Sequence, residues 1–69
     1  MPATKINRII TDRREALKLR QQDLSEMSGV AIKTIHLIEK GLGNPSIATI
    51  EKIATVLGLE LILQVKKNS

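Results

Sequence analysis

The residues with the most chemistry to offer lie in one stretch: Gln21-Gln22-Asp23-Leu24-Ser25-Glu26-Met27-Ser28-Gly29-Val30-Ala31-Ile32-Lys33-Thr34-Ile35-His36-Leu37-Ile38-Glu39-Lys40-Gly41. Helical spacing puts Ile35 and Ile38 on one side of its second half and Ile32, Lys33, Thr34, His36, Leu37 and Lys40 on the other. This outward set suits recognition rather than bond making. Lys33 can bond guanine O6 and N7 or a phosphate, Thr34 a phosphate or a base, and His36 can donate to a base acceptor. Ile32 and Leu37 can pack on thymine methyls, and Lys40, at the helix end, suits a backbone phosphate. The alternative is an ordinary solvated surface carrying two exposed aliphatics. Enzymatic chemistry finds no foothold. His36 is the only histidine and there is no cysteine, so neither a metal cluster nor a cofactor is expected. No nucleophile–base pair occurs at telling spacing. Gly41-Leu42-Gly43 follows a helix rather than opening one, which makes it a turn and not a phosphate loop.

Positioning this set requires two short helices, about Gln22 to Ser28 and about Ile32 to Lys40, locked together by Leu24, Val30, Ile35 and Ile38. Ser25 is small enough for the following helix to approach closely. Gly29 permits the tight turn of a helix-turn-helix, which lets the second helix lie in a major groove. Helices this short need packing from elsewhere.

A first helix, from about Thr4 as N-cap to Leu19, carries Ile6, Ile9, Ile10, Arg13, Arg14 and Leu17 at helical spacing, with Asn7, Arg8, Asp12, Glu15 and Lys18 largely opposite. Leu42-Gly43-Asn44-Pro45 is a loop, and Ser46 caps a fourth helix from about Ile47 to Leu57, with Ile50, Ile53, Ala54 and Leu57 inward and Gly58 as its stop. The period then changes. Leu59, Leu61, Leu63 and Val65 alternate with Glu60, Ile62, Gln64 and Lys66, as in a half-buried strand. A lone strand cannot satisfy its backbone, so the expected partner is the same strand of a second copy, giving a homodimer. A fifth short helix or an ordered tail is the alternative. The expected architecture is therefore all-α, a bundle of about four helices over residues 1–58, with a dimerisation strand at 59–67 and a short tail at 68–69.

Sixty-nine residues bury only about 60% of the unfolded chain's surface, which makes self-association a useful stabiliser. Eleven Lys and Arg against seven Asp and Glu give a charge of +4, favouring a polyanion. With no Phe, Tyr or Trp the chain lacks the stacking platforms of single-strand binders, so a nucleic-acid partner is expected to be double-stranded DNA. No apolar run approaches the roughly 20 residues of a membrane span. A cytoplasmic protein without a membrane association is the expectation.

From Ile10 to Leu59 the sequence resembles the Cro/CI-type (Xre) family of helix-turn-helix regulators. The resemblance is carried by Arg14, by Gln21, by the turn around Gly29, by Ile38-Glu39-Lys40-Gly41 and by Asn44-Pro45-Ser46. The chain departs from the family at Ser25, where alanine is usual, and at Arg20 and Ala31, where capping residues are commoner. Each missing cap is worth about 1 kcal/mol. The resemblance implies a lambda-repressor-like fold and an internal ion pair between Arg14 and Glu39. It also implies a phosphate contact from Gln21 and a backbone-facing loop at Asn44, with Ser46 as a cap or a further contact; Gln22, next to Gln21, is a further DNA-binding candidate.

The closing segment from Leu57 to Val65 is similar to that of HipB-type antitoxins, whose strand pairs across a dimer. That likeness implies autorepression of a toxin–antitoxin operon and a HipA-like kinase partner. A stand-alone phage or mobile-element repressor is the alternative, and a protein-interaction module using Ile32 and Leu37 is a third. The chain has no room for a separate effector domain, so no small-molecule ligand is expected.

Overall fold

The computed structural model describes residues 4–65, with side chains from Ile6 onward. Four helices follow one another: α1 Thr4–Ala16, α2 Gln21–Ser28, α3 Ile32–Glu39 and α4 Ile47–Leu57. Both α1 and α2 pack on α3 and α4. The core where they meet consists of Ile10, Leu24, Val30, Ile35, Ile38, Ile53 and Leu57, flanked by Leu19, Ile50, Val56 and Leu59.

The first helix stops three residues earlier than its apolar spacing suggests. Lys18 adopts φ +61°, the left-handed region that L side chains enter at a cost. The amide of Leu19 then bonds the Arg14 carbonyl at 3.1 Å and that of Lys18 the Glu15 carbonyl at 3.0 Å, closing the helix as glycine usually does. Ile6, Ile9 and Leu17 are exposed, whereas Ile10 of α1 is buried in the core. Thr4 is already helical, and its expected capping side chain lies outside the described ones.

Helix α2 starts one residue sooner than expected, at Gln21. Arg20 precedes it and has no acceptor with which to cap, but the Asp23 carboxylate returns to accept from the Arg20 amide at 2.8 Å and from its guanidinium at 2.9 and 3.1 Å. The Arg20 side chain and backbone hold the Asp23 carboxyl below its ordinary value. Ala31, before α3, has no such substitute.

Between α2 and α3 the chain turns at Gly29, φ +76°, where only the backbone conformation calls for glycine, since nothing stands within 4 Å of where a Cβ would be. Ser25 does more than stay small: its hydroxyl donates to the Val30 carbonyl at 2.7 Å, while the Val30 amide bonds Ser28 Oγ at 3.2 Å. Ser46 caps α4 by accepting from the Thr49 amide at 3.1 Å.

Residues 59–65 form neither a helix nor a strand. Leu59 packs on the core, but Leu63 is 86% and Val65 96% exposed. A strand is defined by its partner, and among the described residues there is no second extended segment for this one to pair with. Residues 66–69, which include the end of the expected strand and the short tail, lie outside the described residues. Among the described residues, no helix is long and apolar enough to cross a membrane.

Candidate nucleic-acid interface

Burial sorts the residues of α3 cleanly. Ile35 and Ile38 sit in the core, whereas Ile32, Lys33, His36 and Leu37 are exposed and Thr34 is half-buried. Lys40, just beyond the last helical turn, is exposed as well. Lys33, His36 and Leu37 are spaced three and four residues apart, so they share one helix surface. Only two ion pairs form among the described residues, and neither Lys33 nor Lys40 belongs to one. Both residues are exposed and have no carboxylate counterion among the described residues.

This surface is held in place from beneath. Arg14 on α1 grips Glu39 on the last turn of α3 through Nε–Oε2 at 2.7 Å and Nη2–Oε1 at 3.0 Å, while its Nη1 donates to the Leu19 carbonyl at 2.8 Å. The pair is largely shielded, with side-chain exposures of 13% and 6%. Burial pushes the Glu39 carboxyl upward, but hydrogen bonds from Arg14 and Gln21 outweigh it and hold the group below its ordinary value. The same contact with Glu39 raises Arg14 further into its charged range.

Gln21, the first residue of α2, extends the network outward. Its Nε2 donates to Glu39 Oε1 at 3.1 Å, and its Oε1 stands 3.4 Å from His36 Nδ1. The structure thus joins Arg14, Glu39, Gln21 and His36 into one chain leading from the interior to the exposed face of α3. One N–H of Gln21 remains available to an outside acceptor. Gln22 is exposed and donates to Glu26 at 3.1 Å. Asn44 is exposed in the loop between α3 and α4, and its neighbour Ser46 is occupied as the helix cap.

Two other residues fix α3 and α4 to α1. Asn7 Nδ2 donates to the Glu39 carbonyl at 3.1 Å, and Arg13 Nε to the Leu57 carbonyl at 2.8 Å, so each satisfies a carbonyl that a helix end leaves open. Sequence spacing placed Asn7 on the outer side of α1. Its role depends on a residue 32 positions away, a relationship that no local pattern records. Among the described residues there is no group of three or more side chains able to hold a metal ion.

Comparison with known proteins agrees with this geometry. The helix-turn-helix family matches residues 10–63, which takes in all of α2, α3 and α4. An uncharacterized HTH-type transcriptional regulator of Methanothermobacter thermautotrophicus is 41% identical over 54 residues, covering 78% of each chain. Another, from Sinorhizobium fredii, is 39% identical over 54 residues, which is 78% of this chain but 28% of that protein. The chain thus spans little more than a quarter of the second relative and most of the first. With its two short helices, Gly29 turn and internally braced third helix, the chain belongs to the Cro/CI-type (Xre) helix-turn-helix family.

Proposed function

We propose that this protein is a sequence-specific DNA-binding regulator of transcription, acting as a repressor. The observation that carries this reading is the exposed face of α3, where Lys33 and His36 have no carboxylate partner among the described residues, on a helix braced through Arg14 and Glu39. In this arrangement α3 enters the major groove, Lys33, Thr34 and His36 reach base edges or phosphates, and Ile32 and Leu37 contact thymine methyls. Gln21, Gln22, Lys40 and Asn44 serve as backbone contacts that set orientation. A symmetric dimer places two such helices about 34 Å apart, so the operator is an inverted repeat, and repression follows from occluding the polymerase.

The exposed apolar residues Leu61, Leu63 and Val65 support a dimer formed through the segment after α4. The same segment underlies the finer reading, a HipB-like antitoxin that represses its own operon and engages a HipA-like kinase. A stand-alone repressor uses the same DNA surface and lacks that protein partner.

A gel shift on the protein's own upstream DNA, at two salt concentrations and with shuffled DNA as competitor, tests the DNA reading. A specific complex of two protomers that weakens steeply with salt is expected. A protein showing no salt-dependent DNA affinity is instead an interaction module using Ile32 and Leu37.

A further inference from the structure

The Arg14–Glu39–Gln21–His36 chain has a chemical direction. Glu39 is a carboxylate and can only accept hydrogen bonds, so the end of the Gln21 amide that lies 3.1 Å from it must be the NH2 group. An amide is planar, so its other end, 3.4 Å from His36 Nδ1, is the carbonyl oxygen. A carbonyl also only accepts. Nδ1 must then carry a proton for this contact to be attractive, and a neutral imidazole protonated there has a bare lone pair on Nε2. Nε2 is the ring nitrogen farther from the backbone, and His36 is exposed on the face of α3.

We propose that Gln21 is a positioning residue that holds His36 in the tautomer protonated on Nδ1, so that Nε2 meets the DNA as an acceptor and reads the amino group of adenine N6 or cytosine N4. This rests on α3 being the helix that enters the major groove. It reverses the simplest expectation for His36, which is donation to a base acceptor. It also gives the part-buried ion pair a part in base choice, because Arg14 orients Glu39, Glu39 orients the Gln21 amide, and the amide selects the His36 tautomer.

The sole histidine makes the test direct. Long-range proton–nitrogen correlation spectra of the labelled protein distinguish the two neutral tautomers by which ring nitrogen carries the proton. The expected spectrum shows Nδ1 protonated and Nε2 bare in the free protein, with Gln21→Ala moving the population toward Nε2–H. A wild-type spectrum dominated by Nε2–H overturns the proposal without any variant. So does a tautomer ratio that Gln21→Ala leaves unchanged while the protein remains folded.

The base-reading half is then measured on DNA. Selection from a random duplex pool finds the position relaxed by His36→Ala, and an analogue lacking the exocyclic amino group is placed there. Wild-type affinity should fall about fivefold, within the range of a single lost base contact. Affinity unaltered by the missing amino group, or an Nε2–H tautomer in the complex, overturns this half. If the pool yields no preferred sequence, the DNA reading itself fails, while the tautomer measurement in the free protein still stands.

Discussion

Arg14 and Glu39 lie 25 residues apart, and the guanidinium closes on the carboxylate through two hydrogen bonds of 2.7 and 3.0 Å. Paired N–H donors facing two carboxylate oxygens fix an angle as well as a distance. This contact therefore sets how the end of α3 sits against α1, and with it the presentation of Lys33 and His36. Shielded ion pairs often add little net stability compared with apolar packing, yet removing one partner strands the other. Glu39→Gln should therefore cost about 1–3 kcal/mol, less than breaking a fully buried pair because both partners are only part-buried. Urea unfolding of the two proteins measures the difference, and a loss below about 0.5 kcal/mol would place the pair among ordinary surface contacts.

The same carboxylate makes stability depend on pH. The Glu39 carboxyl is held below its ordinary value in the folded protein, so the folded state binds its proton less readily than the unfolded chain does. Its stabilisation is complete above the ordinary glutamate value of about 4.5 and is lost as pH falls through the lower, folded-state value. Stability measured from neutral pH downward should hold until that range and then decline, and the decline should be shallower in Glu39→Gln. Parallel curves for the two proteins would assign the acid sensitivity to other carboxylates.

Two left-handed residues give opposite predictions from one cause. Gly29 sits at φ +76° with open space around it, and Lys18 sits at φ +61° with a side chain attached. Gly29→Ala should destabilise by about 1–2 kcal/mol through backbone strain alone. Lys18→Gly should relieve comparable strain, less the extra entropy of a glycine in the unfolded chain, for a net gain of up to about 1 kcal/mol. Thermal melts of both variants suffice, and a destabilised Lys18→Gly would show that the lysine side chain contributes more than its conformation costs.

Ser25 differs from the alanine usual at this position because its hydroxyl holds the Val30 carbonyl across the turn at 2.7 Å. Ser25→Ala keeps the close approach of α2 and α3 but leaves that partly buried carbonyl short of a donor. A loss of about 1 kcal/mol is expected from denaturant unfolding. No change would mean that water replaces the hydroxyl.

Local periodicity encodes the core of this fold but not the contacts that join its helices. Leu24, Ile35, Ile38, Ile53 and Leu57 are buried where their periodicity put them, because each lies on the single inward stripe of its own helix. The stripe on α1 misled. Ile6, Ile9 and Leu17 share the spacing of Ile10 but project past the edge of a core too small to cover them. The end of α1 was hidden because a lysine occupies a conformation that normally announces itself as glycine. On the exposed face of α3 the outward set is legible from its period, but the ties of Asn7, Arg13 and Gln21 are not, since each depends on a partner distant in sequence. The alternation after Gly58 poses the reverse problem, a strand pattern that finds no extended partner among the described residues.

Lys33 separates two kinds of contact with DNA. If its ammonium reaches guanine O6 and N7, Lys33→Ala should cost about 1–3 kcal/mol of affinity on the preferred site and relax selection at that position. If it rests on a phosphate, affinity should fall about equally on all sequences, and the salt dependence should flatten by about one counterion. Titrations of both proteins on operator and shuffled DNA at several salt concentrations distinguish the cases. Unaltered binding to both DNAs would remove Lys33 from the interface.

Leu63 and Val65 are 86% and 96% exposed in the single chain, and Leu61 and Ile62 are exposed beside them. An extended edge with apolar side chains and unpaired amides favours pairing with a like edge, which covers both. Replacing Leu61 and Leu63 with glutamate puts like charges on both sides of such a pairing, so the variant should sediment as a monomer while the parent sediments as a dimer. The core of each domain contains neither residue, so the helical circular dichroism signal should remain. Binding to an inverted repeat should weaken far more than binding to one half-site, because only the dimer gains from tethering two recognition helices together. An intact dimer in the variant would move the interface elsewhere, with the exposed face of α1 at Ile6 and Ile9 the next place to substitute.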